Sequence, residues 1–361
     1  MRNVTGRRQP RARTLLPALV ALLLVASPAA GSEWKWEFTA PTPFFLDRSY
    51  VFGSPSHIRR VGDPYSPAPL LFEAQVAPNL FFPQLHTGHF RHKAGEWFLS
   101  AVLTPSIHLR LLNTPSAPVI PPSYVPKATF QVAHLRMLPG AKGNVRSRRG
   151  LMLAANLIVG HYSNGQDGCY FSNQVRENGA CTPASAQGEL PLNELTGSFS
   201  TNFLRGELHA LGALTVDPDL DSAWLVGGGS FLELNTSVGP GGIANYQRRV
   251  YGDGNWGVSV LGERLWNQHR FQLELALSAP FGETPHRRAT VSAEATALPY
   301  WGAGFGIFAR YVHGQDYYNI LFLERVNLWQ FGLVFELSPG ARLKATDGEQ
   351  DQDKRRPPGF R

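Results

Sequence analysis

The feature that most limits what this chain can become is alternation. In the run Phe271, Gln272, Leu273, Glu274, Leu275, Ala276, Leu277, Ser278, every odd position is apolar and most even ones are polar. Successive side chains of a strand point to opposite faces, so such a run makes a ribbon with one oily side and one wet side. The pattern returns with Ala289, Val291, Ala293, Ala295 and Ala297 opposite Thr290, Ser292, Glu294 and Thr296. It returns again with Phe331, Leu333, Phe335 and Leu337 opposite Gly332, Val334 and Glu336. Segments of this kind follow one another at 70–79, 95–103, 105–113, 128–138, 150–161, 198–214, 222–236, 248–262, 270–280, 288–298, 303–313 and 326–337. With 43% hydrophobic and 17% charged residues the chain is too apolar for wholesale disorder, and 36 Gly with 28 Pro suit strands and turns.

A soluble sandwich and a membrane barrel can share this pattern, one turning its oily faces inward and the other outward. Signs of export favour the barrel. Arg2, Arg7, Arg8, Arg11 and Arg13 precede an apolar run from Leu15 to Val25 and the small-residue stretch ASPAAGS, the layout of a secretory signal cleaved near Ala29 to Gly31. Arg7 and Arg8 also suggest a twin-arginine signal, but the Gln-Pro-Arg that follows favours the ordinary route. The formal net charge is +7, and removing the five arginines of this segment, which holds no acid, leaves +2. No basic stripe with interleaved aromatics remains, which excludes a nucleic-acid binder. Beyond the signal no run of about twenty apolar residues could form a membrane helix. Segment lengths near those needed to cross a bilayer, and aromatics at segment ends such as Trp97, Trp224, Trp266, Tyr300 and Trp301, complete the case.

The expected fold class is therefore all-β, a transmembrane antiparallel β-barrel of about 12 strands in the outer membrane. The expected layout is a signal peptide at 1–31, an irregular N-terminal segment rich in Pro and aromatics at 32–69, the barrel at 70–339, and a polar disordered tail at 340–361. Cys169 and Cys181 fall in a polar stretch, and in an exported chain a local disulfide between them is favoured over a metal site.

The stretch LMLAANLIVGHYSNGQDGCYF raises the functional question. Leu151, Leu153, Ala155, Leu157 and Val159 form its oily face, and His161 and Ser163 continue the same parity. In a barrel they project outward, where a lipid substrate would meet them. Serine becomes a nucleophile when a neighbouring base takes its proton, and that base needs a third group to hold its tautomer. On the next segment Asn202, Leu204, Gly206, Leu208 and Ala210 share the apolar face, opposite Arg205, Glu207 and His209. Neighbouring strands lie about 4.8 Å apart, so at the right register the Asn202 amide reaches the far ring nitrogen of His161. A His-x-Ser pair by itself is common by chance; pair, amide and shared parity together carry the weight. His209 and His313 read as lumen or loop histidines, and Arg205, Glu207, Glu274, Glu294 and Arg310 as paired charges filling the barrel.

These residues resemble outer membrane phospholipase A, a family of twelve-stranded barrels with a His-x-Ser-Asn-Gly signature followed by Ser-x-Ser-x-Asn. Here the two read His161-Tyr162-Ser163-Asn164-Gly165 and Ser198-Phe199-Ser200-Thr201-Asn202. The stretch GQDYYNILFLERVNLWQFGLVFEL is similar to the family's last hairpin. The resemblance covers 150–215 and 304–337 and is thin elsewhere. It implies Ser163 as nucleophile, His161 as general base, Asn202 as orienting residue and the Gly165 N–H in the oxyanion hole. It further implies Ca2+ held by the Gln166 carbonyl and the Ser198 hydroxyl, activation as a homodimer with a third ligand from a loop of the second subunit, and membrane phospholipids as substrate. The loop at 113–126 is a candidate source of that ligand. This chain departs from the family in the long insertion between Ser163 and Asn202, which carries both cysteines, in Gln166 where the family has Arg, and in the tail beyond Leu337. Two other readings stay open: a lipid A deacylase, a smaller barrel sharing His-Tyr-Ser-Asn with a Glu as third member, for which Glu177 would serve, and a non-catalytic outer-membrane channel.

Overall fold

The computed structural model describes residues 34–39, 45–60, 63–87, 96–115, 119–138, 148–182, 192–217, 222–266, 269–284, 288–299, 304–318, 321–336 and 340–345. The expected signal peptide and the tail from 346 lie outside them. The strands are β1 (Trp34–Thr39), β2 (Ser49–Gly53), β3 (His57–Arg60), β4 (Asp63–Val76), β5 (Leu80–Thr87), β6 (Glu96–Leu112), β7 (Val119–Leu138), β8 (Arg148–Ser163), β9 (Arg176–Glu177), β10 (Ala180–Cys181), β11 (Ser200–Asp217) and β12 (Ser222–Thr236). After the short helix α1 (Asn245–Tyr251) come β13 (Gly254–Trp266), β14 (His269–Phe281), β15 (Thr290–Leu298), β16 (Phe305–Gln315), β17 (Arg325–Phe335) and β18 (Gly340–Ala345).

Twelve of these close an antiparallel barrel in the order β6, β7, β8, β11, β12, β13, β14, β15, β16, β17, β2, β4 and back to β6. Closure leaves the wall no free edge, the condition for a sheet in lipid. Outside the ring, β5 continues along the lower half of β6, β18 pairs with β5 in parallel, and β1 pairs with β18. Among the described residues no helix is long and apolar enough to span a membrane.

The faces follow the alternation. Leu151, Leu153, Leu157 and Val159 are exposed while Met152, Ala154, Asn156 and Ile158 are buried. Leu204, Leu208, Leu273, Leu275, Val258, Val260, Phe331 and Leu333 join the outward set. A continuous belt of exposed Leu, Val and Phe is unstable in water and stable in hydrocarbon, so the wall faces lipid. Trp97, Trp224 and Trp266 stand exposed at one end of the belt, and Tyr124, Trp256 and Trp329 towards the other. Tyr300 and Trp301 lie outside the described residues. Strands are joined at the first end by 218–221, 267–268 and 299–304, and at the second by the longer 164–199 and 237–253. Outer-membrane barrels keep short turns on the periplasmic side and long loops outside. The end where β8 passes into β11 is therefore the outer rim.

The inward faces carry the charges. Arg205 pairs with Glu207 at 2.7 Å, Arg270 with Glu336 at 2.8 Å, and Arg310 with Glu294 at 3.6 Å. Arg110, with no exposed surface, is held by Glu73 and Asp316, each at 2.8 Å. The segment ahead of β2 crosses the lumen. Phe45 stacks on His209 at 4.0 Å, Lys127 pairs with Asp47, and Arg48 bonds Gln272 and Glu294 on the far wall. Asn79 and Gln75 donate to the Asp47 and Arg48 carbonyls, so the crossing is tied by its backbone too. Cavities of about 370 to 410 Å³ remain around it.

Several expected boundaries change. The segments 95–103 and 105–113 are one strand, β6, because Pro105 faces Pro126 of β7 across the ladder. Two residues without N–H groups can face each other where the ladder calls for no bond between them. The strand this merger removes from the count is supplied by β2, inside the 32–69 segment expected to be irregular; β1, β3 and the start of β4 lie there too. The expected 113–126 loop is largely the start of β7, and the first residues of the 248–262 segment form α1. Residues 340–345, expected as disordered tail, form β18. His313 faces outward, exposed, beside Tyr311, and not into lumen or loop.

Candidate active site

His161 and Ser163 end β8 and Asn202 opens β11, and the ladder pairs Asn202 with His161 and Ser200 with Ser163. The parity read from sequence thus coincides with the register needed for contact. His161 Nδ1 lies 2.7 Å from Asn202 Oδ1. The amide nitrogen of Asn202 donates to the Val238 carbonyl at 2.8 Å and to the Pro240 carbonyl at 3.0 Å. Both N–H groups being committed to carbonyls, the amide can be oriented only one way, with its oxygen toward the ring. That oxygen is an acceptor, so Nδ1 carries the proton and Nε2 is left as the basic nitrogen. The bond spans a half-buried pair at the rim, and no net charge is placed beside lipid.

The loop after Ser163 is shaped by a residue that sequence reasoning gave no role. Asn164 is 1% exposed; its amide donates to the Gly197 carbonyl at 2.7 Å, and its oxygen accepts from Phe199 N at 3.1 Å and Gln166 N at 3.3 Å. It staples the two ends of the 164–199 loop together beside Ser163. Gly165 follows with φ 66°, in the left-handed region open to glycine. A Cβ there would come within 3.0 Å of Tyr124, which lies opposite Ser163 on β7. Gly168 N donates to the Thr196 carbonyl and Ser198 N to the Gly168 carbonyl, at 2.8 and 2.9 Å, which brings the Gln166 and Ser198 stretches side by side.

The inserted loop is anchored beyond these bonds. Cys169 and Cys181 form a disulfide with Cα atoms 5.6 Å apart, and β9 with β10 makes a small hairpin. Tyr170, Phe171, Phe199, Ile243 and Tyr251 pack into one buried cluster joining this loop to the β12–β13 loop. Burial pushes the Tyr170 and Tyr251 hydroxyls well above the ordinary tyrosine range, so both stay neutral and serve as packing surface. Glu177 sits exposed on β9. Arg59 reaches from β3 to Glu194 and Glu324, tying the loop to the β16–β17 connection.

Among the described residues no group of three His, Cys, Asp or Glu comes together. The ligands that the resemblance implies for a cation, the Gln166 carbonyl and the Ser198 hydroxyl, are both oxygens and lie on the two loop stretches brought side by side. Hard oxygens are the right donor type for Ca2+, which takes roughly six to eight of them, so these residues fit as part of a set. The neighbouring Asp167 carboxylate is turned to Arg176 at 2.8 Å.

The sequence signal for Asn164 was its place in the His-x-Ser-Asn-Gly run. For the loop over Asn202 it was the SVGPGG stretch, whose Gly and Pro mark a turn that approaches other groups closely. No family model and no curated protein sequence matches the chain. Among solved structures the chain is similar to the β domain of the Bordetella autotransporter BrkA, at 12% identity over 85% of this chain and 100% of that one, with a TM-score of 0.27.

Proposed function

We propose that the protein is an outer-membrane, calcium-dependent phospholipase of A1/A2 type that hydrolyses acyl esters of glycerophospholipids. The observation that carries this reading is the Asn202 amide. Pinned by two carbonyls, it presents only its oxygen to His161, and this leaves Nε2 free to act as base toward Ser163, which shares its face of β8. In the first half-reaction the Ser163 Oγ attacks the ester carbonyl carbon while its proton passes to His161 Nε2. Negative charge develops on the carbonyl oxygen, near the Gly165 turn. Collapse expels the lysophospholipid oxygen, which takes the proton back from His161. Water repeats the sequence on the acyl-enzyme and releases the fatty acid. Ca2+, held by the Gln166 carbonyl and the Ser198 hydroxyl, would supply positive charge close to the developing oxyanion. Membrane phospholipids enter sideways, because the site opens on the lipid face at the rim. A homodimer, whose second subunit completes the calcium site, and export through a cleaved signal peptide belong to the same reading.

The alternatives lose their footing on particular residues. As a lipid A deacylase the chain would need Glu177 on His161, but the Nδ1 position is taken by Asn202 and Glu177 is exposed on its hairpin. As an open channel it would need a clear lumen, which the Phe45 to Arg48 crossing obstructs. The test is fatty-acid release from phosphatidylethanolamine by refolded protein, with calcium and with a chelator, beside Ser163→Ala. Release that requires both calcium and Ser163 is expected; equal release by wild type and Ser163→Ala removes the enzyme claim. Activity on lipid A lost with Glu177→Ala but kept with Asn202→Ala would favour the deacylase.

A further inference from the structure

The β12–β13 loop passes over the His161–Asn202 pair. It begins opposite the pair, since Thr236 is the ladder partner of Asn202, and Ser237 to Gly242 then fold back across it. The fold-back is fixed at both ends. Val238 N donates to Thr236 Oγ1, Ile243 N donates to the Thr236 carbonyl, and Ile243 is sunk into the aromatic cluster at 2% exposure. Between these anchors Gly239 and Gly241 take φ values of 80° and 75°. Their positive φ angles belong to a fold-back that brings two carbonyls, Val238 and Pro240, onto one amide nitrogen. Gly241 also lies against the imidazole: a Cβ on it would stand 2.5 Å from His161 Cε1.

We propose that Ser237–Gly242 is a positioning element of the catalytic apparatus, which sets the His161 tautomer through Asn202 and requires that residue 202 be an amide. The proposal rests on the esterase reading for its purpose, but its chemistry stands on the geometry alone. An amide offers two donors and one acceptor, matching two carbonyls and one ring N–H. A carboxylate at 202 would turn an oxygen, which has nothing to donate, toward the Val238 and Pro240 carbonyls. Asp, the usual orienting residue beside a catalytic histidine, is thus excluded here by backbone and not by the histidine. Gly241 acts from the other side, since any side chain there displaces either the ring or the two carbonyls.

The test compares refolded wild type, Gly241→Ala, Asn202→Asp and Val175→Ala, the last an exposed site elsewhere in the rim loops. Two quantities are read: the rate at which a fluorophosphonate labels Ser163, and the His161 tautomer from its ring 15N shifts. Wild type and Val175→Ala are expected to carry the proton on Nδ1 and to label at one rate. Gly241→Ala and Asn202→Asp are expected to lose the single tautomer and to label about 10²-fold more slowly, the scale of a displacement of about 1 Å in a catalytic group. An unchanged tautomer in both variants overturns the proposal, whatever the labelling rates. Should Gly241→Ala fail to fold, the near-isosteric Asn202→Asp decides alone. If wild type is not labelled at Ser163, the esterase reading fails, and the tautomer comparison still decides the positioning claim.

Discussion

The outer rim of β8 and β11 and the lumen between β4, β6 and β16 both bury polar side chains, but by opposite means. In the lumen Arg110 is wholly buried and answered by full charges, Glu73 and Asp316. At the rim His161 is answered by a neutral amide, which is itself answered by backbone carbonyls. An ion pair taken out of water is tolerated where polar neighbours surround it, and here the Tyr317 hydroxyl donates to Glu73 while Gln330 donates to that hydroxyl. Beside hydrocarbon a lone charge has no such company, and neutral donors and acceptors can be satisfied one for one. The difference separates two tasks: lumen polarity holds the barrel, and rim polarity, in the proposed function, does chemistry.

The largest effect that can break this comparison is expected from Ser163→Ala, which should lower fatty-acid release by about 10⁴-fold or more while heat-induced unfolding of the barrel stays at the wild-type temperature. A matching fall in unfolding temperature would show that the rim is structural after all. Next, Arg110→Met should cost about 3–5 kcal/mol in urea unfolding from phospholipid vesicles, because it leaves Glu73 and Asp316 as unanswered buried charges. Its folded fraction should hydrolyse at the wild-type rate, and a lost rate would mean the two regions are coupled. Leu157→Arg places a charge on the lipid face of the strand that carries Ser163, and about 2–4 kcal/mol of destabilisation is expected in the same titration. A neutral result there would place water, not lipid, against that face. The smallest effect is expected from Arg48→Ala, costing about 1 kcal/mol and freeing the crossing segment from Glu294 and Gln272. Planar-bilayer recordings should then show cation-favouring conductance that wild type lacks; silence in both would mean the segment is held well enough by its other ties.

Much of the barrel was legible because alternation is local. Phe271 to Leu275 and Phe331 to Leu333 report their faces with no knowledge of their neighbours, and the structure leaves Phe271, Leu273, Leu275, Phe331 and Leu333 exposed on the outward face. What misled was punctuation. Pro105 looks like a break, yet its partner Pro126 needs no N–H from it, and β6 runs through. β2 is short and sits in a Pro-rich stretch, so nothing local marks Ser49–Gly53 as the strand that closes the ring; its partners β17 and β4 decide that. The candidate site was half legible in the same sense. Residue types and parity named His161, Ser163 and Asn202, and the His-x-Ser-Asn-Gly run and the SVGPGG stretch marked Asn164 and the covering turn without their roles; that the Val238 and Pro240 carbonyls are the ones that hold the amide carries no mark, because a backbone oxygen is the same at every residue.

By itself the sequence determined the side of each strand on which a residue stands, since a period of two is a property of consecutive dihedrals and needs no second strand. Only the tertiary structure decided register: that Asn202 falls opposite His161, that Tyr124 falls opposite Ser163, and that a glycine-rich turn closes over the pair. Register is a choice among hydrogen-bond ladders between distant segments, and a slip of one residue would send Asn202 into the lumen while leaving the local pattern of its neighbours just as it reads.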